Sequence, residues 1–336
     1  MLRMVFRILG DSKSLFDRRS VLGLSAALAG GLLLPELNRA SAQESTPESG
    51  TRLIQHVMGE TEVPANPQRV VVLDGPQLDA AIALGIKPVG AVPAQSGPLP
   101  AYLGTAVEGI EIVGTISEPD LEKIVGLNPD LILGSKFRHE DIYPQLSAIA
   151  PTVFSDLVGT FWKEDFTLFA NAFGKTDEGA AISAAYTERA TTLGSDLNAA
   201  VPGLTVSVIR FRADDVRIYF KTSFIGTVLI DLALARPESQ NRDDERFEAI
   251  SMERIKDVDA SVIFITSYGD PSETDLAQYV DDPLWQGLSA VQNGQVYWVN
   301  DETWMVAIGY LAAGMVLDDI EGFLLNGVPA TPVPVA

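Results

Sequence analysis

Two segments of this chain repeat one pattern. The first runs Pro119-Asp120-Leu121-Glu122-Lys123-Ile124 and then Asn128-Pro129-Asp130-Leu131-Ile132-Leu133. The second runs Ile250-Ser251-Met252-Glu253-Arg254-Ile255 and then Asp259-Ala260-Ser261-Val262-Ile263-Phe264. Each is a short helix start with a glutamate, followed by an aspartate and a stretch of buried-strand type. A chain that builds the same unit twice folds into two similar lobes. Two lobes leave a cleft between them and one exposed acid on each.

The rest of the chain fits that plan. Its 336 residues, 46% of them hydrophobic, suffice for two cores. Short apolar runs bounded by turn residues predict strands at 69–73, 89–92, 130–134, 205–211, 261–266 and 296–299. Helical patterns lie between them at 77–84, 121–125, 142–148 and 224–234. Alternating strands and helices predict parallel sheets covered on both faces. From Asp177 to Ala200 an Ala-rich pattern repeats Ile182, Tyr186, Leu193 and Leu197 at helical spacing, and Pro202-Gly203 ends it. A helix of that length is either a bridge between the lobes or a long surface helix within one; its place between the two repeated units favours the bridge. A last helix is expected from about Val306 to Leu325.

The N-terminus reads as an export signal. Asp17-Arg18-Arg19-Ser20 precedes an apolar run from Val21 to Leu34, too short for a membrane span, and Ala40-Ser41-Ala42 offers a cleavage site near Ala42. The paired arginines favour the twin-arginine route over an ordinary secretory signal. The expected organisation is therefore a signal at 1–42, a first lobe at 43–174 opening on a flexible leader (43–51), a connecting helix at 175–202, a second lobe at 203–328 and a flexible tail at 329–336.

The chain holds 24 basic and 45 acidic residues, a formal charge of −21. Such an acidic excess disfavours nucleic acid and anionic membranes. With no cysteine there are no disulfides, no thiolate zinc site and no lipid-anchored N-terminal Cys. Two histidines, His56 and His139, make an imidazole metal site improbable, and no metal or cofactor is expected. His139 is a candidate to line the cleft. No nucleophile elbow, dinucleotide fingerprint or zinc-protease motif occurs. Gly174-Lys175-Thr176 imitates the end of a phosphate loop, but no strand precedes it, so it reads as a helix end followed by a cap. No catalytic residue is assigned.

Cations gather where strands end. Ser135-Lys136-Phe137-Arg138-His139 follows one strand; Arg210, Arg212, Arg217, Tyr219 and Lys221 follow another. In open α/β sheets ligands collect beyond the carboxyl ends of the strands, and arginines there would make charge-assisted hydrogen bonds to an anionic ligand. The alternative is that they are solvated loop charges paired with Asp214, Asp215 or Glu140; as a set they favour a cleft. Lys136, Arg138, Arg210, Arg212, Tyr219 and Trp304 are the candidate ligand-binding residues, with Trp304 expected to stack on a flat ligand. Trp298, Trp162 and Trp285 read as structural. Glu122 and Glu253 could simply complement helix dipoles. Their matched positions in two lobes point instead to two acids gripping arginines of a symmetric partner.

On these residues the chain resembles the substrate-binding proteins of ABC importers for ferric siderophores, cobalamin and haem, in the ferric-siderophore (FecB-like) branch. The matching stretches include Asn66-Pro67-Gln68-Arg69-Val70-Val71-Val72-Leu73, Ala83-Leu84-Gly85-Ile86-Lys87-Pro88-Val89-Gly90, Glu118-Pro119-Asp120-Leu121-Glu122-Lys123-Ile124, Asn128-Pro129-Asp130-Leu131-Ile132, Ile149-Ala150-Pro151-Thr152 and Pro283-Leu284-Trp285. The resemblance implies an α/β fold of two Rossmann-like lobes with parallel sheets joined by one long helix, a class III periplasmic binding protein. It implies a monomeric, non-enzymatic receptor in the periplasm that takes iron only as a ferric siderophore. It also implies that Glu122 and Glu253 dock onto an ABC permease dimer. Haem or cobalamin is the alternative ligand. An exported enzyme or chelatase on a related fold, and a sensor that keeps the fold without a ligand, are the alternatives of other kinds.

Overall fold

The computed structural model describes residues 50–94, 97–331 and 333–334. The expected export signal, its cleavage near Ala42 and most of the leader lie outside the described residues. The leader's last residue, Thr51, already belongs to a strand. Strands β1 (Thr51–His56) and β2 (Gly59–Pro64) form an antiparallel hairpin ahead of the first sheet.

The first sheet contains β3 (Val70–Val72), β4 (Gly90–Ala91), β5 (Glu111–Ile112), β6 (Leu131–Ser135) and β7 (Thr152–Ser155). Its order is β5-β4-β3-β6-β7, all parallel. The second contains β8 (Val206–Phe211), β9 (Val216–Tyr219), β10 (Phe247–Ile250), β11 (Val262–Ser267) and β12 (Val296–Trp298), in the order β10-β9-β8-β11-β12. The two sheets share one strand order: third, second, first, fourth, fifth. The repeated sequence units feed β6 and β11, the fourth strand of each, and both strands are buried along their whole length. The repetition in sequence is thus a repetition of fold.

The second sheet is mixed where parallel strands alone were expected. β8, β11 and β12 are parallel, but β9 runs antiparallel to β8 and β10 antiparallel to β9. The reason is chain length. Only Arg212 to Asp215 separates β8 from β9, and the Arg212 N–H donates to the Asp215 carbonyl at 3.0 Å. A parallel crossover needs about a dozen residues or more, so so short a link can only turn back.

Helices cover the sheets: α1 (Gly75–Ala83), α2 (Leu121–Gly126), α3 (Lys136–His139), α4 (Tyr143–Ile149), α5 (Trp162–Phe173), α6 (Thr176–Ala200) and α7 (Phe224–Asp231), with a C-terminal helix at Tyr310–Leu324. Gly174 ends α5 in the left-handed conformation at φ 74°, so the phosphate-loop imitation is indeed a helix end. The 25 residues of α6 span about 37 Å and link the lobes. Two glycines let it touch both. A Cβ on Gly179 would stand 2.6 Å from Cβ of Ala170 in α5, and one on Gly194 would stand 2.3 Å from the Leu232 carbonyl oxygen just past α7.

One apolar core runs through Val72 and Phe166 of the first lobe, Tyr186 and Leu193 of α6, and Val208 and Phe264 of the second. Each sheet has a further core on its other face. Val333, in the segment expected to be a flexible tail, is half-buried against the second-lobe core. Across the junction, Trp162 Nε1–H donates to Thr227 Oγ1 at 2.8 Å, and Lys163 reaches both oxygens of Asp231 at 2.6 Å. Among the described residues no helix is long and apolar enough to cross a membrane.

Candidate ligand cleft

The first-lobe wall is built from loops beyond the ends of parallel strands. Asp74 follows β3 and caps α1; it is buried, and its Oδ2 accepts from Arg138 Nε at 2.6 Å. That ion pair aims Arg138, which follows β6 on α3. Lys136 pairs with Glu140, at 3.8 Å. Between them Phe137 is 56% exposed, unusual for a ring with a core available nearby. Leu157 and Phe161, after β7, are also exposed.

His139 does not line the cleft. It is 1% exposed, its Nε2 meets the Ile116 carbonyl at 2.9 Å and its Nδ1 accepts from the Ser135 N–H at 3.3 Å. Burial pushes its pKa below the ordinary value, so the ring is neutral and the Nε2 carries the proton it donates.

The second-lobe wall is a sheet face studded with arginines. Arg210, near the end of β8, is gripped by both oxygens of Asp301, at 2.7 and 2.5 Å. Its Nη1 donates to the Tyr219 hydroxyl at 3.3 Å, and its guanidinium lies 4.6 Å from the Tyr268 ring centre. Thr266, at the end of β11, donates its hydroxyl to Asp301. Arg210 is therefore fixed on three sides before any ligand arrives. Arg212 lies 5.6 Å from the same Tyr268 ring, and Arg212 and Arg217 share Asp215, at 3.3 and 2.8 Å. Arg217 lies 4.1 Å above Phe247.

Of the expected ligand residues, the structure gathers Arg210, Arg212 and Tyr219 on one wall and Lys136 and Arg138 on the other. Tyr219 itself is largely buried and supports Arg210 rather than facing a ligand. Trp304 requires a correction. It is 0% exposed, packs with its ring tilted against Phe264 at 4.6 Å between centres and donates from Nε1 to Asp319 Oδ2 at 2.8 Å, so it cannot stack on a ligand here. The stretch Glu302–Val306 forms a π-helical turn, within which Trp304 packs into the second lobe, and the last helix, expected from about Val306, begins at Tyr310.

Asp74, Asp301, Tyr268 and Arg246 escaped the sequence reading, and Phe137 stood in it only as a member of its strand-end run. Tyr268 directly follows β11, where the strand-end rule would have found it. Arg246 sits in a run of charges, 242–246, that reads as a solvated loop. It does not stay there: its Nη1–H donates to the Val158 carbonyl of the first lobe at 2.7 Å, and its guanidinium lies 5.9 Å from the Phe137 ring.

Glu122 and Glu253 are both exposed. Glu122 lies in the first turn of α2, whose cap residue Asp120 bonds to Val113 just past the end of β5. Glu253 follows β10, which ends at Ile250, level with the end of β8. Each glutamate thus stands at the edge of its sheet where the parallel strands terminate. Two surface hollows of about 420 and 490 Å³ lie elsewhere, the first between α6 and Glu321 of the C-terminal helix, the second near Leu204 and Tyr297. Neither includes a cleft residue. Among the described residues no cluster of His, Cys, Asp and Glu could hold a metal ion.

Two α/β lobes of one strand order, joined by one long helix, define a class III binding protein. The sequence profile of the periplasmic binding protein family matches residues 70–303, and the chain belongs to that family. It is 40% identical over 301 residues to the probable siderophore-binding lipoprotein YfiY of Bacillus subtilis, covering 86% of this chain and 92% of that one. It is 35% identical to the achromobactin-binding periplasmic protein of Dickeya dadantii, over 76% of this chain and 85% of that one. Among solved structures, SirA of Staphylococcus aureus complexed with staphyloferrin B superposes with a TM-score of 0.74 at 35% identity, covering 82% of this chain and 99% of that one.

Proposed function

We propose that this chain is the substrate-binding component of an ABC importer, exported to the periplasm, which holds a ferric siderophore between its lobes and passes it to a permease. The observation that supports this most is the preorganised Arg210. Its guanidinium is oriented by Asp301, Tyr219 and Tyr268 on a wall that also presents Arg212 and Arg217. Fixed donors bind an anionic chelate without first being ordered, which lowers the entropic cost of binding. A micromolar complex requires about −8 kcal/mol, within reach of a few charge-assisted hydrogen bonds. Lys136, Arg138, Arg210 and Arg212 are the proposed ligand cations. Iron enters as cargo already chelated, and no residue is assigned to bare metal or to catalysis.

In this reading the protein works as a monomer, with lobes at 43–174 and 203–328 around a connecting helix at 175–202, and Glu122 and Glu253 dock onto the permease. Haem is disfavoured as the ligand, because His139 and Tyr219, the donors considered for it, are both buried and engaged. Native mass spectrometry of the protein isolated from iron-limited cells tests the proposal. An added mass equal to iron plus a chelator supports it; a haem or cobalamin mass overturns the siderophore reading.

A further inference from the structure

Of Arg138 in the first lobe and Arg210, Arg212, Arg217, Arg242 and Arg246 in the second, five are already ion-paired. Arg138 pairs with Asp74, Arg210 with Asp301, Arg212 and Arg217 with Asp215, and Arg242 with Asp244 and Glu248. Arg246 alone among them has no carboxylate within ion-pair distance among the described residues. Its acidic neighbours do not serve it: Asp244 is held by Arg242, while Asp243 and Glu245 are exposed and form no ion pair among the described residues. Its backbone is fixed, since its carbonyl accepts from the Phe220 N–H at 2.8 Å. The side chain crosses to the first lobe, where, among the described residues, a neutral carbonyl, that of Val158, and the exposed ring of Phe137 are its partners.

A half-buried guanidinium satisfied by one carbonyl keeps most of its donors and its full charge for something else. An anion entering the cleft meets neutralised pairs at Arg138 and Arg210, whose carboxylates repel it as their guanidiniums attract it. At Arg246 no carboxylate of the described residues stands within ion-pair distance. We infer that Arg246 is the principal anion-recognising residue of the cleft and sets its preference for negatively charged chelates. The cations Arg138, Arg210 and Arg212 serve as shape and hydrogen-bond donors around it. Because Arg246 spans both lobes, an anion bound to it also bridges them. The inference rests on the ferric-chelate reading above.

The test titrates the full chain, followed by calorimetry, with ferric citrate as an anionic chelate and ferrioxamine B as a cationic one. The proteins are wild type, Arg246→Gln, Arg246→Lys and, as a control on the outer surface, Arg254→Gln. The inference expects wild type to prefer ferric citrate and Arg246→Gln to weaken it by roughly tenfold to a hundredfold, the range for losing one charge-assisted hydrogen bond. Arg246→Lys should restore part of that loss, Arg254→Gln should match wild type, and melting temperatures should confirm that all four are folded. Ferric citrate binding unchanged in Arg246→Gln overturns the inference and leaves the ferric-chelate reading intact. Preference of wild type for ferrioxamine B overturns the inference too. Absence of binding to either chelate by wild type overturns the inference, and the ferric-chelate reading falls with it only if a ferric catecholate also fails to bind.

Discussion

The carboxylate of Asp79, on α1 of the first lobe, accepts the backbone N–H of Leu311 at 3.1 Å in the first turn of the C-terminal helix. The same carboxylate takes the N–H of Ala312 at 3.1 Å and the hydroxyl of Tyr102 at 2.8 Å. A residue on one lobe thus caps a helix that packs on the other, and the two lobes are fastened at that point. Gly309 makes the approach possible, because a Cβ there would lie 2.2 Å from Asp79 Oδ1.

This fastening has a pH signature. Full burial pushes the Asp79 pKa up to about 6 from 3.8, against the opposing pull of its hydrogen bonds. Between those two values the folded chain holds a proton that the unfolded chain has released. The contribution of this group to stability is therefore complete below about pH 4 and lost as the pH rises through about 6. Compared with Asp79→Asn, wild type should lose about 2–3 kcal/mol of relative stability between pH 4 and pH 7, taking 1.36 kcal/mol per pKa unit. Urea unfolding at both pH values measures it; a constant difference would show that Asp79 does not titrate in this window.

Gly194→Ala separates helix propensity from packing. In an isolated helix the change would stabilise by up to about 1 kcal/mol. Here the new methyl meets the Leu232 carbonyl oxygen, which cannot move without shifting backbone. The expected net result is a loss of about 1–3 kcal/mol, as for other overpacked sites. A gain in thermal stability would mean that α6 does not approach the second lobe this closely.

Trp304→Phe should leave chelate affinity within twofold of wild type. It should lower stability by about 1–3 kcal/mol, because the half-buried Asp319 carboxylate loses its donor. Denaturant unfolding and chelate titration of one preparation check both halves. Lost affinity at unchanged stability would return Trp304 to the ligand site.

Reversing Glu122 and Glu253 to arginine should abolish uptake in cells while the purified protein binds its chelate as before. Both side chains are exposed, so stability should change little. Normal uptake by the double variant would remove these residues from permease docking.

The sequence revealed the parts of this fold whose signals are local. β6 and β11 are continuous apolar runs, and α6 is a long periodic one, so two lobes and a bridge could be read directly. β9 and β10 were missed, because strands of four residues, each interrupted by one charge, Arg217 or Glu248, look like loop when their partners are unknown. The cleft arginines were recognisable as a group by their place after strands. Their division into paired and unpaired was not: Asp301 lies far along the chain from Arg210, and nothing local ties them. Trp304 misled for the same reason, since Asp319 and Phe264, which hold it inside, come from other elements.

The central claim is that the chain captures an iron chelate through the cations between its lobes. Calorimetric titration of the full chain with ferric carboxylate, catecholate and hydroxamate chelates, at low and high salt, tests it most directly. We predict micromolar or tighter binding of an anionic ferric chelate, about −8 kcal/mol or better, that weakens as salt screens the arginines. Heat changes indistinguishable from dilution for all three chelate classes would contradict it.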